Sequence, residues 1–215
     1  MFRQRLTLTT ARFVDSYRRD ASEDRAEILS LDDGSVVLVV ADGVGGRPGG
    51  GLAATRAAEV IREFAPTANG ADFWQRLLAH ADTVLSDDPE VGETTCVISQ
   101  VAANGRRIAG AVVGDSEAWM ITRERRLILT EESRRKPYLG YGMAHPVPFS
   151  ASVPASGATL LLASDGLFKY AQPDRIEAVA ALPDLDEAAH RLVDLARNPA
   201  GVLPDDAAVL LCRMG

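Results

Sequence analysis

Residues 35–43, Ser35-Val36-Val37-Leu38-Val39-Val40-Ala41-Asp42-Gly43, form an apolar, mostly β-branched run that stops on an aspartate and a glycine. A short run of this kind, bounded by turn formers, reads as a strand buried on both faces. Upstream, 25–31 is a second apolar run, and Asp32-Asp33-Gly34 between the two is a hairpin turn. Downstream, beyond a glycine-rich turn, 52–64 carries apolar residues at helical spacing. The pattern repeats over 73–85 with Phe73, Leu77, Leu78, Ala81 and Leu85. Two strands are therefore followed by two helices.

The same order recurs further along the chain. Strands are predicted over 95–101, 106–113, 118–122 and 127–130, broken by Asn104-Gly105 and by 123–126. The segment 133–154 is rich in Gly and Pro with weak periodicity and reads as a loop of unusual length, the kind that serves function. A short strand over 159–163 ends at Ser164-Asp165-Gly166. Helices over 176–182 and 185–197 follow Pro173-Asp174 and Pro183-Asp184, and a last strand spans 207–212. Strands then helices, twice over, point to an α+β layered sandwich rather than an alternating parallel sheet.

The chain has 215 residues, 47% apolar and 25% charged, which suits one globular domain over 1–215. The formal net charge of −7 argues against a nucleic-acid backbone as partner. Two basic runs, Arg18-Arg19 and Arg134-Arg135-Lys136, stand against that balance, the second reading as a solvated face. No stretch has the ~18 consecutive apolar residues of a membrane-spanning helix, and no signal-peptide pattern follows Met1, so a cytoplasmic protein without membrane attachment is expected. Cys96 and Cys212 lie in apolar runs without metal-ligand spacing and read as core fillers.

Four strands begin or end at an acidic residue: Asp42, Asp115, Asp165 and Asp206. Each alone is an ordinary turn aspartate. Together they can bring carboxylates to one end of a sheet, where their mutual repulsion calls for a cation. Carboxylate oxygens without histidine suit Mg²⁺ or Mn²⁺ before Zn²⁺. A pair of such ions is a common device for phosphoryl transfer. Spacing alone stops at a metal-assisted hydrolase.

The local strings go further. Val39-Val40-Ala41-Asp42-Gly43-Val44-Gly45-Gly46, Val113-Gly114-Asp115-Ser116-Glu117-Ala118-Trp119, Ala163-Ser164-Asp165-Gly166-Leu167 and Asp205-Asp206-Ala207-Ala208-Val209 resemble, in order, the signature motifs of the metal-dependent protein phosphatases, the type 2C serine/threonine family. Arg19-Asp20-Ala21-Ser22-Glu23-Asp24 resembles the family's opening motif, and Gly92-Glu93-Thr94-Thr95 its Gly-x-Thr motif. The likeness spans about 19–211, as in a compact bacterial-type member. It implies a four-layer α-β-β-α sandwich, with two mainly antiparallel sheets face to face and helices on both outer faces. It also implies two Mn²⁺ or Mg²⁺ ions, with a possible third, and a water bridging the two ions that attacks phosphoserine or phosphothreonine.

The resemblance also distributes roles. Asp42 would bridge the ions with the Gly43 carbonyl beside it. Asp165 and Asp206 would complete the first site, and Glu23 and Asp24 would serve the second, directly or through water. Asp115 with Asp165 matches a weaker third site, and Arg19 matches the arginine that clamps the substrate phosphate. A guanidinium fork suits a phosphate because it can bind bidentately. The implied partner is a phosphorylated protein, opposing a serine/threonine kinase, with the phosphatase acting as a monomer.

Two departures stand out. Animal members carry a histidine where Val44 stands, which leaves the leaving-group proton unassigned. His80 and His190 fall on helices in surface or packing roles, whereas His145 falls in the loop as a candidate substrate contact. The interval between Asp115 and Asp165 is short for the family, which predicts a reduced flap and an open cleft. A catalytically silent binding or scaffold module, and a hydrolase of small phosphoesters, are the competing readings.

Overall fold

The computed structural model describes residues 8–17, 22–45, 48–154 and 157–215. Two five-stranded sheets are present. One runs in the order β1 (Leu8–Asp15), β10 (Ala207–Met214), β9 (Ala158–Ala163), β6 (Glu117–Ile121), β7 (Arg126–Ile128). The other runs β2 (Arg25–Ser30), β3 (Val36–Ala41), β4 (Cys96–Val101), β5 (Arg107–Val113), β8 (Val147–Ser152). Every pairing is antiparallel.

The apolar runs look continuous because both faces of the central strands are covered. Along β3, Val37, Val39 and Ala41 pack against α1 (Gly50–Phe64) and α2 (Ala71–Ser86), among Ala57, Ile61, Trp74 and Leu78. Leu38 and Val40, alternating with them, meet Leu160, Leu162, Leu210 and Cys212 of the facing sheet. On the far side, Leu161, Ala163, Val209 and Leu211 pack against α3 (Asp165–Phe168), α4 (Pro173–Ala180) and α5 (Leu185–Leu195) through Leu167, Ile176, Leu192 and Val193. Period-two alternation thus divides each central strand between two cores, giving the expected α-β-β-α order. Each fully buried aliphatic side chain contributes about 1.5–3 kcal/mol. Cys96 and Cys212 are among these buried groups, and burial pushes both thiols above their usual pKa.

Three elements differ from the sequence reading. Segment 133–154 is not wholly loop, because β8 forms at its end as an edge strand. There Phe149 is buried while Pro148, Ser150 and Ser152 face out, and an edge tolerates Pro148 because only one side of the strand must pair. β1 is a further edge strand where none was predicted, with Ala11 its one buried residue. The third is α3, a single helical turn directly after β9. No helix among the described residues is long and apolar enough to cross a membrane.

Candidate metal centre

One end of the sandwich opens into a cleft of about 790 Å³ whose walls include Glu23, Asp24, Asp42, Asp115, Asp165, Asp205 and Asp206. Of the site residues proposed from the sequence, Arg19 lies outside the described residues, as does Arg18 beside it. The backbone around Asp42 is held firmly. Its carbonyl accepts from Thr94 Oγ1 and Thr95 N, both at 2.8 Å, and Val44 N donates to Glu93 O at 2.9 Å. The Gly-x-Thr string thus clamps the end of β3 and leaves the Asp42 carboxylate to the cleft. Gly43 is required by space: a Cβ there would sit 2.5 Å from the Gly50 carbonyl at the start of α1.

Asp165 and Asp206 are brought together in the same manner. Ser164 N donates to Ala208 O at 3.1 Å, and its hydroxyl accepts from Ala208 N at 2.9 Å. A Cβ on Gly166 would lie 2.0 Å from the Asp206 carbonyl, so no other residue allows this approach of α3 to the start of β10.

The carboxylates differ in their surroundings. Asp24 is 2% exposed, and neither oxygen has a hydrogen-bond partner among the described residues. Burial pushes its pKa upward, with the charges of Asp206 and Asp165 adding to the rise and neighbouring Ser164 opposing it. Burial also raises Asp42 strongly, helped by Asp24, Asp165 and Asp205. Asp115 and Asp205 are raised by burial and by Asp165. Internal cations answer part of this charge. Lys169 pairs with Asp165 and lies 3.8 Å from Asp205, while Arg135 Nε sits 2.8 Å from Asp115. Partial burial would lower the Lys169 ammonium, but Asp165, Asp205 and Asp115 together hold it above its usual pKa.

Asp206, on the cleft wall, also has hydrogen-bond partners within the protein. Its oxygens accept from Ser16 Oγ (3.2 Å), Tyr17 N (2.9 Å), Ser22 Oγ (3.0 Å) and Glu23 N (2.7 Å). It therefore ties the β1–β2 connection to the start of β10. Its neighbour Asp205, which no motif reading singled out, is half-buried on the cleft wall beside Asp165 and Lys169. The doubled Asp205-Asp206 was the available signal. No histidine lines the cleft. His190 stacks on Phe13 at 3.8 Å and His80 meets Phe64 edge-on at 5.6 Å, while His145 is exposed.

Among the described residues no three His, Cys, Asp or Glu side chains are gathered closely enough to form a ready cation cage. The orphaned, buried oxygens of Asp24 beside Asp42 nevertheless fit a hard divalent cation, the ligand that would satisfy them without protonation.

The family model described as Stage II sporulation protein E (SpoIIE) matches residues 32–215. The chain belongs to the SpoIIE family. This family is PP2C-like, in accord with the type 2C resemblance of the motifs. No curated protein sequence matches the chain. Among solved structures, a bacterial serine phosphatase is similar at 20% identity over 97% of this chain and 98% of that one, with a TM-score of 0.84. Stp1, a serine/threonine phosphatase from Staphylococcus aureus, is similar at 20% identity over 97% and 96%, with a TM-score of 0.83. The catalytic domain of the phosphatase PstP, in complex with two manganese ions, is similar at 21% identity over 97% and 99%, with a TM-score of 0.77. At these identities the likeness is one of fold, and this SpoIIE-family chain shares that fold along almost its whole length.

Proposed function

We propose that this SpoIIE-family chain is a metal-dependent protein phosphatase that hydrolyses phosphoserine and phosphothreonine. The observation that carries the reading is buried Asp24, its oxygens unpartnered among the described residues, beside half-buried Asp42 in a wide acidic cleft. Asp42 with the Gly43 carbonyl, Asp165 and Asp205 or Asp206 would hold one Mn²⁺ or Mg²⁺ ion. Asp24 and Glu23 would hold a second, and Asp115 with Asp165 a possible third. When bound, such ions lower the pKa of water toward neutrality and neutralise phosphate charge.

The protein's own residues do the rest. Thr94 and Thr95 fix the Asp42 backbone, so the Asp42 carboxylate would be presented to a bound ion from a backbone that does not have to reorganise. Arg19 clamps the phosphate, as the motif resemblance implies, and the tie from Asp206 to Ser22 and Glu23 holds the following residues of that motif. Water forms the new P–O bond, the bond from phosphorus to the seryl or threonyl oxygen breaks, and that oxygen leaves with a proton. With Val44 rather than histidine on the wall, solvent in the cleft supplies the proton. The partner is a phosphoprotein whose phosphate a serine/threonine kinase installed, and a Mn²⁺-bound phosphatase of the same fold supports this reading.

The Lys169–Asp165 pair is the observation that favours a catalytically silent module instead, because it satisfies a ligand internally. Hydrolysis of p-nitrophenyl phosphate and of a phosphothreonine peptide, with Mn²⁺, Mg²⁺ or EDTA, separates the readings. Metal-dependent phosphate release from the peptide is expected, with Asp42→Asn and Asp165→Asn each reduced below a tenth of the wild-type rate. Metal binding without turnover of either substrate would establish the silent module, and turnover of p-nitrophenyl phosphate alone a small-phosphoester hydrolase.

A further inference from the structure

The basic run Arg134-Arg135-Lys136 is unusual in a chain of net charge −7, and the fold carries it to the mouth of the acidic cleft. All three residues are exposed. Arg135 lines the cleft beside Asp115, and Tyr138, two residues after the run, lines it as well. The Lys136 ammonium stands 5.6 Å from the centre of the Tyr138 ring. Glu131 and Glu132 precede the run, but a turn closed by Ser133 N to Thr130 O intervenes and neither reaches the cleft wall.

The loop is not a loose strap. Ser133 Oγ donates to Gly114 O at 2.6 Å, beside Asp115. Leu139, fully buried, exchanges backbone hydrogen bonds with Thr94 at 3.0 and 2.9 Å. Beyond it, the buried carboxylate of Asp82 on α2 accepts from the backbone N–H groups of Gly140, Gly142 and Ala144 at 2.8–3.0 Å. Anchors at Gly114, Thr94 and Asp82 therefore hold the backbone on both sides of the basic run, with Arg135 on the cleft wall. A backbone held in advance loses little conformational entropy when a partner binds, which favours selection of a ligand by the side chains it carries.

We infer that 133–146 is a rigid recognition platform whose basic run selects phosphoprotein segments with carboxylates beside the phosphorylated residue. The inference rests on the phosphatase reading above. Acidic flanks would otherwise be repelled by the cleft's own aspartates, and Arg134 and Lys136, exposed on either side of the cleft-lining Arg135, offset that repulsion.

The test compares p-nitrophenyl phosphate, which has no flanks, with two phosphothreonine peptides of equal length, one flanked by Asp and Glu and the other by Asn and Gln. With Mn²⁺ at low salt the acidic peptide should show a kcat/KM about tenfold higher, carried mainly by KM and shrinking in 0.5 M salt as charges are screened. The double variant R134E/K136E should abolish that preference while turning over p-nitrophenyl phosphate within about twofold of wild type. Equal kcat/KM for the two peptides, or a preference that survives the double variant, would overturn the platform and leave the phosphatase standing. Failure to hydrolyse any of the three substrates would sink the phosphatase reading itself, and this inference with it.

Discussion

Lys169 and Arg135 each occupy a carboxylate that the cleft could otherwise offer to a cation, and Lys169 is the more consequential because Asp165 stands in two of the proposed sites. Its ammonium competes with a metal for the same oxygens, although its 40% side-chain exposure limits what the pair is worth. Lys169→Met should therefore tighten Mn²⁺ binding roughly three- to tenfold, equivalent to about 0.7–1.4 kcal/mol. Calorimetric titration of metal-free protein measures this directly. Weaker binding in the variant would mean that Lys169 orients Asp165 for the metal rather than competing with it. Most of the acidic constellation was legible in the sequence, because turn aspartates at strand ends stand out against apolar runs. What could not be read was which oxygens remain free. The motif resemblance gave the ligand role to Asp206, whose oxygens accept from four donors of the β1–β2 connection, and gave none to Asp205, which lines the same cleft.

The central strands β3, β4, β9 and β10 were legible because burial on both faces demands unbroken apolar runs. Of the edges, β2 and β7 were read from turn spacing, but β1 and β8 were not, since an edge strand can bury little: each has one buried residue, Ala11 and Phe149. Asp82 was hidden for a different reason. It falls on the apolar stripe of α2 between Leu78 and Leu85, where a carboxylate reads as an exception, and its partners lie in the loop beyond Leu139. That placement has a measurable consequence. Asp82→Ala would leave the N–H groups of Gly140, Gly142 and Ala144 without their acceptor, a loss of about 1–3 kcal/mol, or roughly 2–4 °C in Tm per kcal/mol for a chain of this size. Once the loop is released, peptide KM should rise while kcat for p-nitrophenyl phosphate stays near wild type. A lower Tm with an unchanged peptide KM would confine Asp82 to stability and detach the loop from substrate recognition.

Across the whole molecule, burying aspartates around one cleft sets stability against charge until a cation arrives. In metal-free protein, burial and mutual repulsion hold Asp42 and Asp24 above the ordinary carboxylate pKa, with Asp115 and Asp205 shifted the same way. The folded state therefore keeps protons that the unfolded chain releases. As pH rises above the ordinary aspartate range toward the raised values, the unfolded state binds fewer protons than the folded one, and stability falls. A divalent cation takes the place of those protons, so its stabilising effect should grow over the same interval. At about 100 times its Kd a bound ion contributes ~2.7 kcal/mol, or about 5–10 °C in Tm for a chain of this length. The difference in Tm between Mn²⁺ and EDTA should approach that size at pH 8 and shrink markedly at pH 5.5. An equal difference at both pH values would mean that the buried carboxylates do not exchange protons for metal, and that Mn²⁺ stabilises the protein from elsewhere.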